Sequence, residues 1–343
     1  MNNDWSRRHV MAGLAGATLA AGAARAQAPQ PGRVWPPAGV KSLDPAFDAL
    51  VDANAKTEQL MTGFGLSEGP LWVGGKDGYL LVCDVNGNVV RRWSQKDGES
   101  EWLKPSGYAG PPTKIVRQYG VGGLILARGG IVAADVGNRG IAAINPKTKT
   151  KIMLATHFEG KRLQSPNDLV QGRDGSIYFT DPTNGLNGGL NSVYKELPYT
   201  AIFRLTPDNR VELFDSSLVN PNGIGLSPDG RTLYVTHDNK YWSAFDVGPD
   251  GKASNKRFFV DEKALGIAGG DGLKIDTQSN LWTTSSQGVS VFDKTGKPLG
   301  IVNAGPGRHS NVELGADGYL YIAYGDKVAR VPVRARPVRL GKA

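Results

Sequence analysis

The sequence predicts an all-β protein, a six-bladed β-propeller, and three observations carry that reading. The 343 residues include 46 Gly and 21 Pro, which is incompatible with long helices, since Gly costs roughly 1 kcal/mol and Pro about 3 kcal/mol in a helix interior. Six alternating apolar runs each follow a turn signal: Asp77-Gly78 before YLLVCD, Gly129-Gly130 before IVAAD, Asp174-Gly175 before SIYFTD, Asp229-Gly230 before RTLYVTH, Ser279-Asn280 before LWTTSS and Asp317-Gly318 before YLYIAY. The second residues of these pairs lie 52, 45, 55, 50 and 38 positions apart. A sandwich of similar length has no reason to repeat in phase.

Each pair reads as a two-residue hairpin turn, because such turns need positive φ, which Gly and Asn adopt at little cost. An apolar run precedes the turn (LWVG, LVQG, IGLSP, LKID) and another follows the second strand (AIFRL, AFDV, VSVF, ARVPV), so one period holds the four strands of a blade. The segment EQLMTGF at 58–64 is expected to pair beside VARVPV and close the ring, which removes sheet edges. A length prior of about 150 residues per domain suggests two domains. Six repeats in phase make it one, over residues 45–343. The single Cys83 excludes a disulfide framework or cysteine-held metal and, inside an alternating strand, reads as core.

The N-terminus is an address. Ser6-Arg7-Arg8-His9 precedes a small-residue apolar run from Val10 to Ala24 and the sites Ala24-Arg25-Ala26 and Ala26-Gln27-Ala28, the order of an export signal. An adjacent arginine pair before a weakly hydrophobic run favours the twin-arginine export machinery, and a run of about 15 residues is too short to span about 30 Å of hydrocarbon. We therefore expect residues 1–26 to be a twin-arginine-type signal peptide, residues 27–44 a linker, and the mature protein to be periplasmic or secreted without stable membrane insertion. Losing Arg7, Arg8, Arg25 and Asp4 lowers the formal charge from +8 to +6. Much of the rest sits in Arg330, Arg334, Arg336, Arg339 and Lys342 at the C-terminus, a short tail and not the patch a nucleic-acid partner needs.

The first strand of each blade lines the central channel, so residues at its start meet at one mouth. Counting back from the turns gives Glu68, Gly122, Asn167, Asn222, Asp271 and the pair Ser310-Asn311 at a nearly constant register. Two carboxylates and two or three carboxamides converging there form an oxygen cage suited to a hard divalent cation, Ca²⁺ first, with Mg²⁺ or Mn²⁺ as alternatives. Turn chemistry alone accounts for one or two Asn-Gly or Asp-Gly pairs. It does not account for oxygen ligands in register across nonadjacent blades.

The stretch FEGKRLQSPNDLVQGRDGSIYFTDPTNGL (158–186), with SEGPLW (67–72), NPNGIGLSPDGRTLYV (220–235) and GGDGLKID (269–276), resembles the regucalcin/gluconolactonase family (SMP-30/gluconolactonase/LRE-like), most closely its bacterial gluconolactonase branch, over roughly residues 45–335. The resemblance implies a six-bladed propeller that binds one divalent metal, usually Ca²⁺ or Zn²⁺, and hydrolyses sugar lactones. It makes Glu68, Asn222 and Asp271 the expected ligands, places Asn167 near metal and substrate, and gives Asp271 the role of base. A cation there would polarise the lactone carbonyl while Asp271 takes a proton from water. A Ser-His-Asp site is disfavoured because no G-x-S-x-G occurs.

The second blade departs from the branch: Gly122 and Val136 stand where an Asn and a His are expected, removing two polar contacts. His237 and His309 are candidate substrate-binding residues in compensation, or else loop histidines. The functional expectation is an exported metal-dependent lactonase acting on a gluconolactone-like or other small cyclic ester. An arylesterase or phosphotriesterase using the same cation is the enzymatic alternative, and a ligand-binding propeller without catalysis is the other.

Overall fold

The computed structural model describes residues 38–260 and 266–341; the expected signal peptide and the first part of the linker lie outside them. Six antiparallel sheets, five of four strands and one of five, follow one another, which we call blade 1 (67–103), blade 2 (124–155), blade 3 (169–215), blade 4 (221–260), blade 5 (273–303) and blade 6 (309–332). The fourth strand of blade 6 is Glu58–Thr62, paired antiparallel with Lys327–Pro332, so the ring closes through chain ends about 270 residues apart. This is the expected six-bladed propeller. Among the described residues, no helix is long and apolar enough to cross a membrane.

The strands are apolar on both faces because each blade is sandwiched between two others, and period-2 alternation sends neighbouring side chains into different cores. In blade 1, Leu81 and Cys83 pack toward blade 2 while Leu80 and Val82 pack toward blade 6. In blade 3, Ile177 and Phe179 join the core shared with blade 2, whereas Tyr178 joins that shared with blade 4. Six apolar seams therefore replace a single core, and Cys83 is fully buried in one of them. At the seam where the ring closes, Trp72 of blade 1 stacks on Tyr321 of blade 6 with centroids 5.2 Å apart.

Two local expectations are revised. Only the Arg128-Gly129 turn of blade 2 is a two-residue hairpin with both residues at positive φ. In blades 3, 5 and 6 the loop holds three residues and in blade 4 four, each with one left-handed residue, Gly175, Ser279, Gly318 and Gly230 in that order, which tolerates Pro228 and Asp229 before it. The stretch read as a linker also enters the fold: Gly39–Ser42 adds a fifth strand to blade 5. Asp44 then caps a short helix, Pro45–Asp48, that inserts Phe47 into the seam between blades 5 and 6.

The C-terminal segment crosses the end of the channel remote from the predicted ligands. Val338 and Leu340 pack against blades 5 and 4, and Arg339 donates to Glu313 Oε1 at 3.0 Å and to the Trp72 carbonyl at 3.2 Å. The segment lines a cavity of about 80 Å³. Burial pushes the Glu313 carboxyl up, and Arg339 and Lys274 oppose this. A chain ending at Arg336 leaves that buried carboxylate without its guanidinium. We expect a loss of about 1–3 kcal/mol in urea unfolding; an unchanged midpoint would show that the tail does not brace the channel.

Candidate functional site

At the opposite mouth, Glu68, Asn167, Asn222 and Asp271 line one cavity of about 360 Å³, together with Gly122, Val136, Arg117 and Arg308. Each predicted ligand sits at or just before the start of its inner strand: Glu68 in Ser67–Val73, Asn222 in Pro221–Leu226, Asn167 two residues before Leu169–Gln171, and Asp271 two before Leu273–Ile275. The inner strands converge so closely that the residues after Glu68, Asn222 and Asp271 must lack a side chain. A Cβ on Gly223 would stand 2.2 Å from the Asp271 carbonyl oxygen, and one on Gly272 would stand 2.1 Å from the Asn311 side chain. Glycine follows ligand here for close approach rather than for turning.

Threonines of the second strands fix these positions. Thr180 Oγ1 donates to the Asn222 carbonyl at 2.6 Å and receives the Asp168 N–H at 3.2 Å. One blade on, Thr236 Oγ1 donates to the Asp271 carbonyl and receives the Gly223 N–H at 2.8 Å. The Asp271 N–H is in turn donated to Thr284 Oγ1 at 2.9 Å. The Thr180 and Thr236 hydroxyls thus tie their own inner strands to the inner strand of the next blade, while Thr284 braces Asp271 within blade 5. The signal was present in the repeated IYFTD, LYVTH and LWTTS, but reads as ordinary β propensity until the ring is closed.

Electrostatically the floor is crowded with acid. Burial, then the charges of Asp271 and Asp168, raise the Glu68 carboxyl well above the usual range. Burial likewise raises Asp271 and Asp168. Asn311 bridges two of them, donating Nδ2 to Glu68 Oε2 at 3.0 Å and to Asp168 Oδ2 at 3.5 Å. Arg308 donates to Asp271 Oδ2 at 2.6 Å and to Asn239 Oδ1 at 3.2 Å. Among the described residues no three His, Cys, Asp or Glu side chains cluster as a metal site; the donor set is two carboxylates plus the amides of Asn167 and Asn222. Buried carboxylates that raise one another, beside neutral oxygen donors, fit a hard divalent cation. Asp168 and Arg308 were not named from sequence, although Asp168 adjoins Asn167 and Arg308 adjoins His309; Asn311, placed at the mouth by its register, bridges the acids.

The two candidate histidines are not among the residues lining the cavity. His237 is buried with Nε2 2.9 Å from Ser243 Oγ. His309 is 2% exposed: its Nε2 accepts the Ala304 N–H at 3.2 Å, so the proton sits on Nδ1, 3.2 Å from the Gly307 carbonyl, with the ring stacked on Tyr324. Neither is an exposed loop histidine. In blade 2, Val136 is buried in the cavity wall and its Cγ2 lies 3.1 Å from where a Cβ of residue 122 would stand. The valine occupies space beside Gly122 and presents methyl groups there, so the departure makes this wall apolar.

Residues 66–324 match the family described as the SMP-30/Gluconolactonase/LRE-like region. The gluconolactonase of Zymomonas mobilis subsp. mobilis is 36% identical over 305 residues, 85% of either chain. Regucalcin of Danio rerio is 27% identical over 271 residues, 75% of this chain and 82% of that one. The solved structure of a gluconolactonase from Xanthomonas campestris is 28% identical with a TM-score of 0.75, covering 89% of this chain and 99% of that one.

Burial lowers both His237 and His309 to about 4, whereas an unfolded histidine titrates near 6.5. Below pH 6.5 the unfolded chain takes up protons the native chain refuses, so stability present above pH 6.5 is lost as pH falls toward 4. The loss approaches about 3 kcal/mol per ring. Urea midpoints at pH 7.0 and 4.5 should therefore lie closer together in His309→Gln than in the wild type; equal pH slopes would contradict the buried neutral ring.

Proposed function

The chain belongs to the SMP-30/gluconolactonase/LRE-like family and is a hydrolase of lactone esters, and we propose that it works with one divalent cation held by Glu68, Asn222 and Asp271, with Asn167 alongside. The observation that carries this reading is the convergence of those four side chains on one cavity from blades 1, 3, 4 and 5. When bound, the cation supplies Lewis-acid polarisation of the ester carbonyl, with Ca²⁺ the best match to an all-oxygen donor set.

The protein's own groups do the rest. Asp271 accepts the proton of the attacking water, its carboxylate aimed into the cavity by the Thr236 and Thr284 hydrogen bonds to its backbone. Arg308 holds Asp271 Oδ2 and leaves the other oxygen available. Asn167 orients the ring ester through its carboxamide, and Val136 with Gly122 offers the sugar ring an apolar rest. The water oxygen bonds to the acyl carbon, the ring C–O bond breaks, and the proton returns to the ring oxygen, giving a hydroxy acid. Residues 1–26 direct export through the twin-arginine machinery in this reading, which Arg7→Lys with Arg8→Lys should abolish in cell fractionation.

Chelation is expected to remove hydrolysis of glucono-1,5-lactone, and added Ca²⁺ to restore it. Asp271→Asn should lower kcat/KM by about 10²–10⁴. Glu68→Gln should weaken Ca²⁺ binding by tenfold or more in calorimetry, by the loss of one charged ligand. If both variants hydrolyse lactone like the wild type, the site lies elsewhere.

A further inference from the structure

The cavity above the acidic floor is not acidic. Among the described residues the only carboxylates lining it are Glu68 and Asp271; the remaining polar lining is Asn86, Gln118, the site amides, Asn184, Asn239 and two guanidiniums, Arg117 and Arg308. Arg117 is exposed at the rim and anchored there twice: its backbone N–H donates to the Gly185 carbonyl at 2.8 Å and its Nε to the Asn184 carbonyl at 2.6 Å. Its terminal nitrogens have no acidic partner among the described residues, although most other arginines that pair here do so with a nearby Asp or Glu. Arg308 gives one nitrogen to Asp271 and Asn239 and is 50% exposed. With Glu68 and Asp271 ionised and a divalent cation between them, this lining carries a formal surplus of two positive charges.

We propose that the substrate is an anionic lactone: a ring ester seated over Glu68 and Asp271, carrying a second acidic group that Arg117 binds with help from Arg308. This rests on the lactonase reading and names the substrate class within it. A neutral sugar lactone would leave the Arg117 guanidinium facing only water, whereas a carboxylate or phosphate accepts two parallel N–H bonds from it. The same chemistry is offered by the free carboxylate of a sugar diacid monolactone and by the phosphate of a phosphorylated sugar lactone. The ring opening is the hydrolysis already described, and the second acidic group takes no part in bond making or breaking.

The deciding experiment compares kcat/KM on glucaro-1,4-lactone, 6-phosphoglucono-1,5-lactone and glucono-1,5-lactone for the wild type, Arg117→Gln and Arg117→Lys. The expected result is that one anionic lactone exceeds the neutral one by about tenfold or more. That preference should shrink as salt rises to 0.3 M, fall about tenfold in Arg117→Gln and recover in part in Arg117→Lys. Which anionic lactone leads tells carboxylate from phosphate. Equal rates on all three in the wild type, or an unchanged ratio in Arg117→Gln, overturns the proposal. Calorimetry with the ring-opened acids decides it independently of turnover: glucarate or 6-phosphogluconate binding more tightly than gluconate, and losing that advantage in Arg117→Gln, supports the anion site. No lactone hydrolysis with that binding pattern retained would instead sink the lactonase reading alone.

Discussion

The hydrogen bond from a second-strand threonine to the backbone carbonyl of the next blade's ligand is the contact on which the site depends. Thr180 holds Asn222 in this way, and Thr236 holds Asp271. It can form only where adjacent inner strands nearly touch, and the strands nearly touch only because Gly223 and Gly272 present no side chain. Site residue, glycine and threonine thus form one device that recurs at the junctions of blades 3 to 4 and 4 to 5. Closure by Glu58–Thr62 against Lys327–Pro332 completes the ring, and blade 6 is tied to blade 1 by the Ser310 hydroxyl, which donates to the Ser67 carbonyl at 2.6 Å beside Glu68.

That rigidity answers an electrostatic difficulty. Three buried acids, Glu68, Asp168 and Asp271, each raise the cost of ionising the others, and a flexible site would relieve this by letting them separate. Here the backbone cannot yield, because the six interblade seams are packed with buried apolar side chains on both faces of every sheet. Repulsion is retained in the fold as affinity for positive charge. Part of it is met by Asn311 and Arg308, and the rest is what a divalent cation would neutralise. The threonines and Asn311 act through position, since none of them lines the cavity.

Blade 2 shows how such a scaffold changes one wall of the cavity without displacing Glu68, Asn222 or Asp271. Gly122 and Val136 sit on the same wall, and their packing leaves no room for a side chain at 122 unless Val136 or the Asn167 carbonyl moves. The wall that carries polar groups in the family pattern is apolar in this chain, while charge is offered from loops at the rim by Arg117 and Arg308. Ligand strands and rim loops can vary independently because only the former are tied into the ring.

Much of this was legible in the sequence. The phase of the turn signals determined the blade count, the alternating strands determined that both faces would be buried, and the register of Glu68, Asn167, Asn222 and Asp271 before the turns determined that they would share a mouth. Those are local or periodic properties, and periodicity survives translation into a ring. What only the tertiary structure decided are contacts between residues with no periodic relation. His237 and His309 lie two and one positions from the lining residues Asn239 and Arg308, yet neither ring lines the cavity: the Ser243 hydroxyl partners His237, and backbone groups partner His309. Arg308 carries no motif, and its role exists only because blade 6 is folded beside blade 5. The strand Gly39–Ser42 was hidden in a Pro-rich leader because its partner, Pro298–Asn303, lies about 260 residues away. Side-chain direction at the axis is set by the neighbouring blade, and no stretch of a single blade's sequence contains that information.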